Sequence, residues 1–136
     1  DWGYHPEIER AAPLSDAHTI EQLATAPLPD FMQQVNPNSL RQAVEYLHQL
    51  GYAVMAAPPH LGGELFETAW RLRGFEQFMI DMAKNPPLVD YLLDQLTAMH
   101  LAVCLELTRA GIDILSLDDD VGEPTRMLIS PAMWRR

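Results

Sequence analysis

The sequence predicts an α/β protein in which two parallel strands are joined by a long helical crossover. Three observations carry this. A helix that ends at a glycine and hands over to a short apolar run occurs twice, at Gly51 before Tyr52–Ala57 and at Gly111 before Ile112–Leu117. Several helical stretches separate the two runs, the kind of connection that parallel strands need. The second run leads straight into Asp118-Asp119-Asp120. Adjacent like charges repel, so three carboxylates at a strand end cost energy unless something binds or solvates them.

Residues 1–37 form an irregular, proline-rich lead-in that rests on a larger body, residues 38–136. One short helix is expected there from Thr19, whose hydroxyl can cap it together with Gln22 three positions on. A helix over Asn38–Leu50 follows, with Leu40, Ala43, Val44, Leu47 and Leu50 on one face. Pro58-Pro59 closes the first strand, since proline cannot continue a ladder. After the turn at Gly62-Gly63 come helices over Glu64–Leu72 and Phe75–Lys84, divided by Gly74. Phe75, Phe78 and Met79 read as core. Asn85 caps the longest helix, and Pro86 sits where a missing N–H is harmless. Val89, Leu92, Leu93, Leu96, Met99, Val103 and Leu107 give it a long apolar stripe. The strand Ile112–Leu117 is nearly all apolar, which predicts burial on both faces.

Composition narrows the function classes. The chain has 136 residues, of which 48% are hydrophobic, and a net charge of −10. That charge argues against a nucleic-acid partner, which favours a basic face. The single cysteine, Cys104, excludes an internal disulfide and suits a reducing compartment. No signal-peptide pattern and no membrane-spanning apolar run is evident, so the expected location is cytoplasmic, with no membrane partner. Two strands alone would leave both edges unpaired. Asp1 opens an irregular stretch, and Ser130-Pro131 announces a helix that Trp134-Arg135-Arg136 barely begins. These features predict a segment of a longer protein, able to self-associate through open strand edges.

The order of motifs resembles the uroporphyrinogen decarboxylase-like family. The resemblance is carried by Gly63-Glu64-Leu65-Phe66-Glu67-Thr68-Ala69-Trp70-Arg71-Leu72-Arg73-Gly74-Phe75-Glu76, then Asn85-Pro86, Ala110-Gly111-Ile112-Asp113, Asp119-Asp120-Val121-Gly122 and Ile129-Ser130-Pro131. Pro13-Leu14-Ser15-Asp16-Ala17 and Pro27-Leu28-Pro29-Asp30 resemble its lead-in. It implies that residues 38–136 are an incomplete segment of a (β/α)8 TIM-type barrel, with the site at the C-terminal ends of the strands. The family contains tetrapyrrole decarboxylases and relatives that move methyl groups to or from corrinoids or thiols. The Asp-Asp-Val-Gly form is closer to the methyltransferase type. The resemblance therefore implies corrinoid-linked methyl transfer, with a corrinoid partner and zinc held by residues outside this chain. The alternatives are tetrapyrrole decarboxylation and a partial barrel without turnover that acts by self-association or partner binding.

Asp119 and Asp120 are the expected catalytic residues; the simpler reading is a solvated acidic loop with one Asp capping the next turn. The resemblance gives Asp119 the task of accepting hydrogen bonds from substrate N–H or cofactor groups. His60 follows the first strand and so belongs at the same end as Asp119, where an imidazole can act as acid, base or ligand. Asp118 and Arg71 join it as expected substrate-binding groups. Arg71 or Arg73 could grip an anion, or equally pair with Glu67 or Glu76. His100 and Cys104 have a metal-compatible spacing, but on an outer barrel helix they read as packing, so no metal ligand is assigned within the chain.

Overall fold

The computed structural model describes residues 12–135 apart from 27 and 29. The opening of the lead-in, residues 1–11, and the prolines of the Pro27-Leu28-Pro29-Asp30 motif lie outside the described residues. The elements run α1 (Ile20–Thr25), a 3-10 turn (Phe31–Gln34), α2 (Pro37–Gln49), β1 (Met55–Ala56), α3 (Phe66–Arg73), α4 (Phe75–Lys84), α5 (Pro86–Arg109), β2 (Ile114–Leu115), β3 (Gly122–Glu123), β4 (Arg126–Met127) and α6 (Pro131–Trp134).

The architecture is mostly helical, and this corrects the expectation of a barrel segment. The described strands are two residues each and form two separate two-stranded sheets, β1–β2 parallel and β3–β4 antiparallel. The six-residue strands expected at Tyr52–Ala57 and Ile112–Leu117 shrink to Met55–Ala56 paired in register with Ile114–Leu115. Burial on both faces is corrected too: Met55 is 65% exposed, Ile114 52% and Leu117 59%. The physical reason is a lack of neighbours. An apolar run shows that a strand tolerates burial, but only adjacent strands and helices can bury it, and here each strand has one ladder partner.

Helix α5 organises the rest. Its stripe buries Leu88, Val89, Leu92, Leu96, Val103 and Leu107, and the core around it collects Leu14, Leu23, Phe66, Ala69, Phe78 and Ile129. Phe66 and Phe78 meet edge to face at 5.7 Å, and Trp70 meets Phe75 in the same way at 5.5 Å. By length and mean hydropathy, 1.3 over its best 18-residue window, α5 also meets the composition of a membrane span. This corrects the expectation that no such run exists; its buried stripe gives the apolar residues a packing role.

Local signals work as expected at several ends. Thr19 and Gln22 form the capping box of α1. Asn36 caps α2 through the N–H groups of Asn38 and Ser39, and Ser130 caps α6 through Met133. Gly51, Gly74 and Gly111 all have positive φ where helices stop. Asn85 differs: its side chain makes no cap bond to α5. The amphipathic face of α2 is only partly used, since Val44 alone is fully buried. Within the lead-in, Leu14 and Leu23 enter the core. Arg73 fastens this segment, with Nη1 donating to the carbonyls of Leu14 and Ser15 while Nε donates to Asp81 at 2.7 Å. Its partners are therefore neither Glu67 nor Glu76.

Candidate functional site

The ends of β1 and β2 point two loops toward one another. Asp113 sets the register at the other end, where its Oδ2 accepts the Val54 N–H at 2.7 Å and lies 2.8 Å from His48 Nε2. These bonds hold the Asp113 carboxyl below its ordinary pKa, the Val54 N–H contributing most. Past the strands, Pro58-Pro59-His60 and Asp118-Asp119-Asp120 come together beside the Gly62-Gly63 turn.

Asp119 has a task of its own. Its Oδ2 accepts the N–H groups of Leu65 (3.0 Å) and Phe66 (2.5 Å), and its Oδ1 accepts that of Glu67 (2.9 Å). Leu65 stands at the N-cap of α3 without a side-chain cap, so a carboxylate from a distant loop meets the orphan donors and the positive end of the helix. Gly63 makes room for it: a Cβ there would stand 2.5 Å from Asp119 Oδ1 and 2.9 Å from Asp119 Cα. Both oxygens of Asp119 are thus engaged by backbone, and its role in this geometry is to position the loop.

The open chemistry lies one residue away. Asp118 is exposed, and its Oδ1 is 3.6 Å from His60 Nε2. The Asp118 N–H donates to Glu64 Oε2 at 2.8 Å, and the Glu64 N–H donates to the Asp118 carbonyl at 3.1 Å. Glu64 is only 7% exposed, and its other oxygen, Oε1, has no hydrogen-bond partner among the described residues; neither has His60 Nδ1. His60, Glu64 and Asp118 each bring a ligand atom within 4.8 Å of the others. Leaving such groups unpaired in a low-dielectric setting is costly, which sets this cluster apart from ordinary packing.

The surroundings add charge. Arg71 lies with its guanidinium 4.6 Å over the Trp70 ring and 3.4 Å from Glu67, at the edge of the Gly62 turn. Burial raises the pKa of Glu67, Asp120 and Asp119 push the same way, and Arg71 opposes them. Asp120 itself is exposed. His100 is 4% exposed, and neither ring nitrogen makes a hydrogen bond of ordinary geometry among the described residues. Burial lowers its pKa, opposed by the charge and backbone of Glu64 and by Asp119 and reinforced by His60, so the charges of the cluster reach this ring. Cys104 is buried nearby, and burial together with Glu64 raises its thiol pKa.

The structure brings together His60, Asp118 and Asp119 from the expected set, with Arg71 and Asp120 at the margin. Glu64 was absent from that set; its signal was the His60-x-x-x-Glu64 spacing across a double-glycine turn. His100 was set aside on the premise of an outer barrel helix, which the observed fold removes. No known family, curated protein or solved structure matches this chain.

Proposed function

We propose that this chain serves corrinoid-linked methyl transfer, in the manner of the methyltransferase-type relatives of uroporphyrinogen decarboxylase, and meets its ligand at the loop ends bearing His60, Asp118 and Asp120. One observation supports this above others. Gly63 and Asp119, from two separate motifs of the resemblance, fit one another so closely that any side chain at Gly63 would displace the acidic loop. Tetrapyrrole decarboxylation would ask Asp119 to gather pyrrole N–H groups, but three backbone N–H groups already engage its two oxygens. That favours methyl transfer. Here His60 and Asp118 orient polar groups of the ligand while Asp120 stays open to solvent for contact with them. Zinc, in this reading, comes from residues outside this chain and supplies the activated thiolate.

The test is direct binding. Titrating the purified chain with hydroxocobalamin is expected to shift the corrinoid visible spectrum saturably, with affinity reduced at least about tenfold in His60→Ala. Saturable binding of uroporphyrin III in place of the corrinoid would transfer the reading to decarboxylation, and binding of neither would remove it. The exposed Met55, Ile114 and Leu117 favour a second reading, association through the open β1–β2 pair. Sedimentation at rising concentration checks it, a constant monomer mass counting against it.

A further inference from the structure

The geometry points to a three-ligand site for a first-row divalent metal ion of the zinc type, built from His60, Glu64 and Asp118 and open to solvent on the Asp118 side. It does not rest on the methyl-transfer reading, in which His60 and Asp118 would then reach the ligand through the bound ion, and it is separate from any zinc bound by residues beyond this chain.

Four features carry it. The three ligand atoms lie within 4.8 Å of one another, and the His60–Asp118 separation of 3.6 Å is too long for a good hydrogen bond. Two ligands of one ion stand in that relation: metal–ligand bonds of about 2.0–2.2 Å place tetrahedral ligand atoms about 3.3 Å apart. Glu64 is more than nine-tenths buried, yet among the described residues its Oε1 has no hydrogen-bond donor while its Oε2 is fixed by the Asp118 N–H at 2.8 Å. A carboxylate held in this way presents one oriented oxygen, which is how outer contacts prepare a metal ligand. Charge also balances, since two carboxylates and an imidazole lone pair neutralise a divalent cation. The donor set of one nitrogen and two carboxylates suits zinc, cobalt, manganese or iron, whereas magnesium favours oxygen alone. With three protein ligands and an exposed Asp118, a position remains for water, whose proton such an ion makes easier to remove.

The test uses the whole chain, stripped with a chelator and titrated with Co2+. The expected result is one equivalent of bound Co2+ with visible d–d absorption, displaced by Zn2+. Glu64→Gln, which keeps the side-chain shape, and His60→Ala should each weaken binding at least about tenfold. Cys104→Ser and Glu76→Gln should leave it unchanged. In parallel, Mn2+ should broaden the ring signals of His60 before those of His18 and His48. If His60→Ala fails to fold, Glu64→Gln and the broadening pattern decide. Absence of saturable Co2+ binding, wild-type affinity in Glu64→Gln, loss of binding in Cys104→Ser, or earlier broadening at His18 or His48 would each overturn the site.

Discussion

Two charged clusters lie partly or wholly inside this molecule, and they are finished to different degrees. At Arg73–Asp81 every contact is mutual: Arg73 Nε meets Asp81 Oδ2 at 2.7 Å, Gln77 Nε2 donates to Asp81 Oδ1 at 2.8 Å, and Arg73 Nη1 meets two carbonyls of the lead-in. At His60–Glu64–Asp118 the backbone N–H groups of Glu64 and Asp118 are paired across the cluster, but Glu64 Oε1 and His60 Nδ1 have no hydrogen-bond partner among the described residues. A buried charge with all its partners is architecture. One held in place with an oxygen left bare is prepared for something that arrives later.

The largest test of this contrast is Arg73→Met. It leaves Asp81 buried without its cation and frees the lead-in, so a loss of about 3–5 kcal/mol is expected in chemical denaturation. The double variant with Asp81→Leu should recover much of it, because the orphaned charge goes as well. If the single variant cost nothing, the cluster would not be structural at all.

Gly63→Ala comes next. The new methyl would collide with Asp119 Oδ1 and Cα, where backbone as well as side chain must move, and about 1–3 kcal/mol should be lost. Co2+ affinity should fall with it, since Glu64 and Asp118 hold one another across the same contact. Wild-type stability in this variant would uncouple the acidic loop from the turn.

The smallest effect is expected at His100. Its two ring nitrogens are buried with no hydrogen bond of ordinary geometry among the described residues, so His100→Leu in the metal-free chain should be neutral or stabilising by up to about 1 kcal/mol. Burial lowers the folded pKa of His100 below its ordinary 6.5, so the unfolded chain takes up the proton more readily. Stability therefore falls as pH drops below about 6.5 toward the folded value, and His100→Leu should flatten that part of a melting-temperature profile. A strongly destabilised variant would show that the ring has a partner after all.

The helices were legible because their information is local: the Thr19–Gln22 box, Pro86 at a helix start, the glycines at Gly51, Gly74 and Gly111, and the stripe of α5. The strands misled because periodicity reports what a segment tolerates, whereas their extent depends on neighbours that no local pattern specifies. The β3–β4 hairpin, with its two-residue turn at Pro124-Thr125 and the Glu123–Arg126 ion pair, went unread for want of alternating apolar residues. Within the site, His60 was legible from its place after Pro58-Pro59. Glu64 was read as an ordinary helix residue, and the cap that Asp119 supplies to α3 is a tertiary fact, made between segments far apart in the chain.

That cap changes how the molecule keeps time. The first amide protons of a helix ordinarily trade with deuterium fastest, because nothing within the helix protects them. At α3, those of Leu65, Phe66 and Glu67 are gripped by one carboxylate from the loop beyond β2. They can exchange only when that loop lets go. The deuteration rate at the start of α3 is thus a clock for the opening of the acidic loop, and anything that binds there slows it.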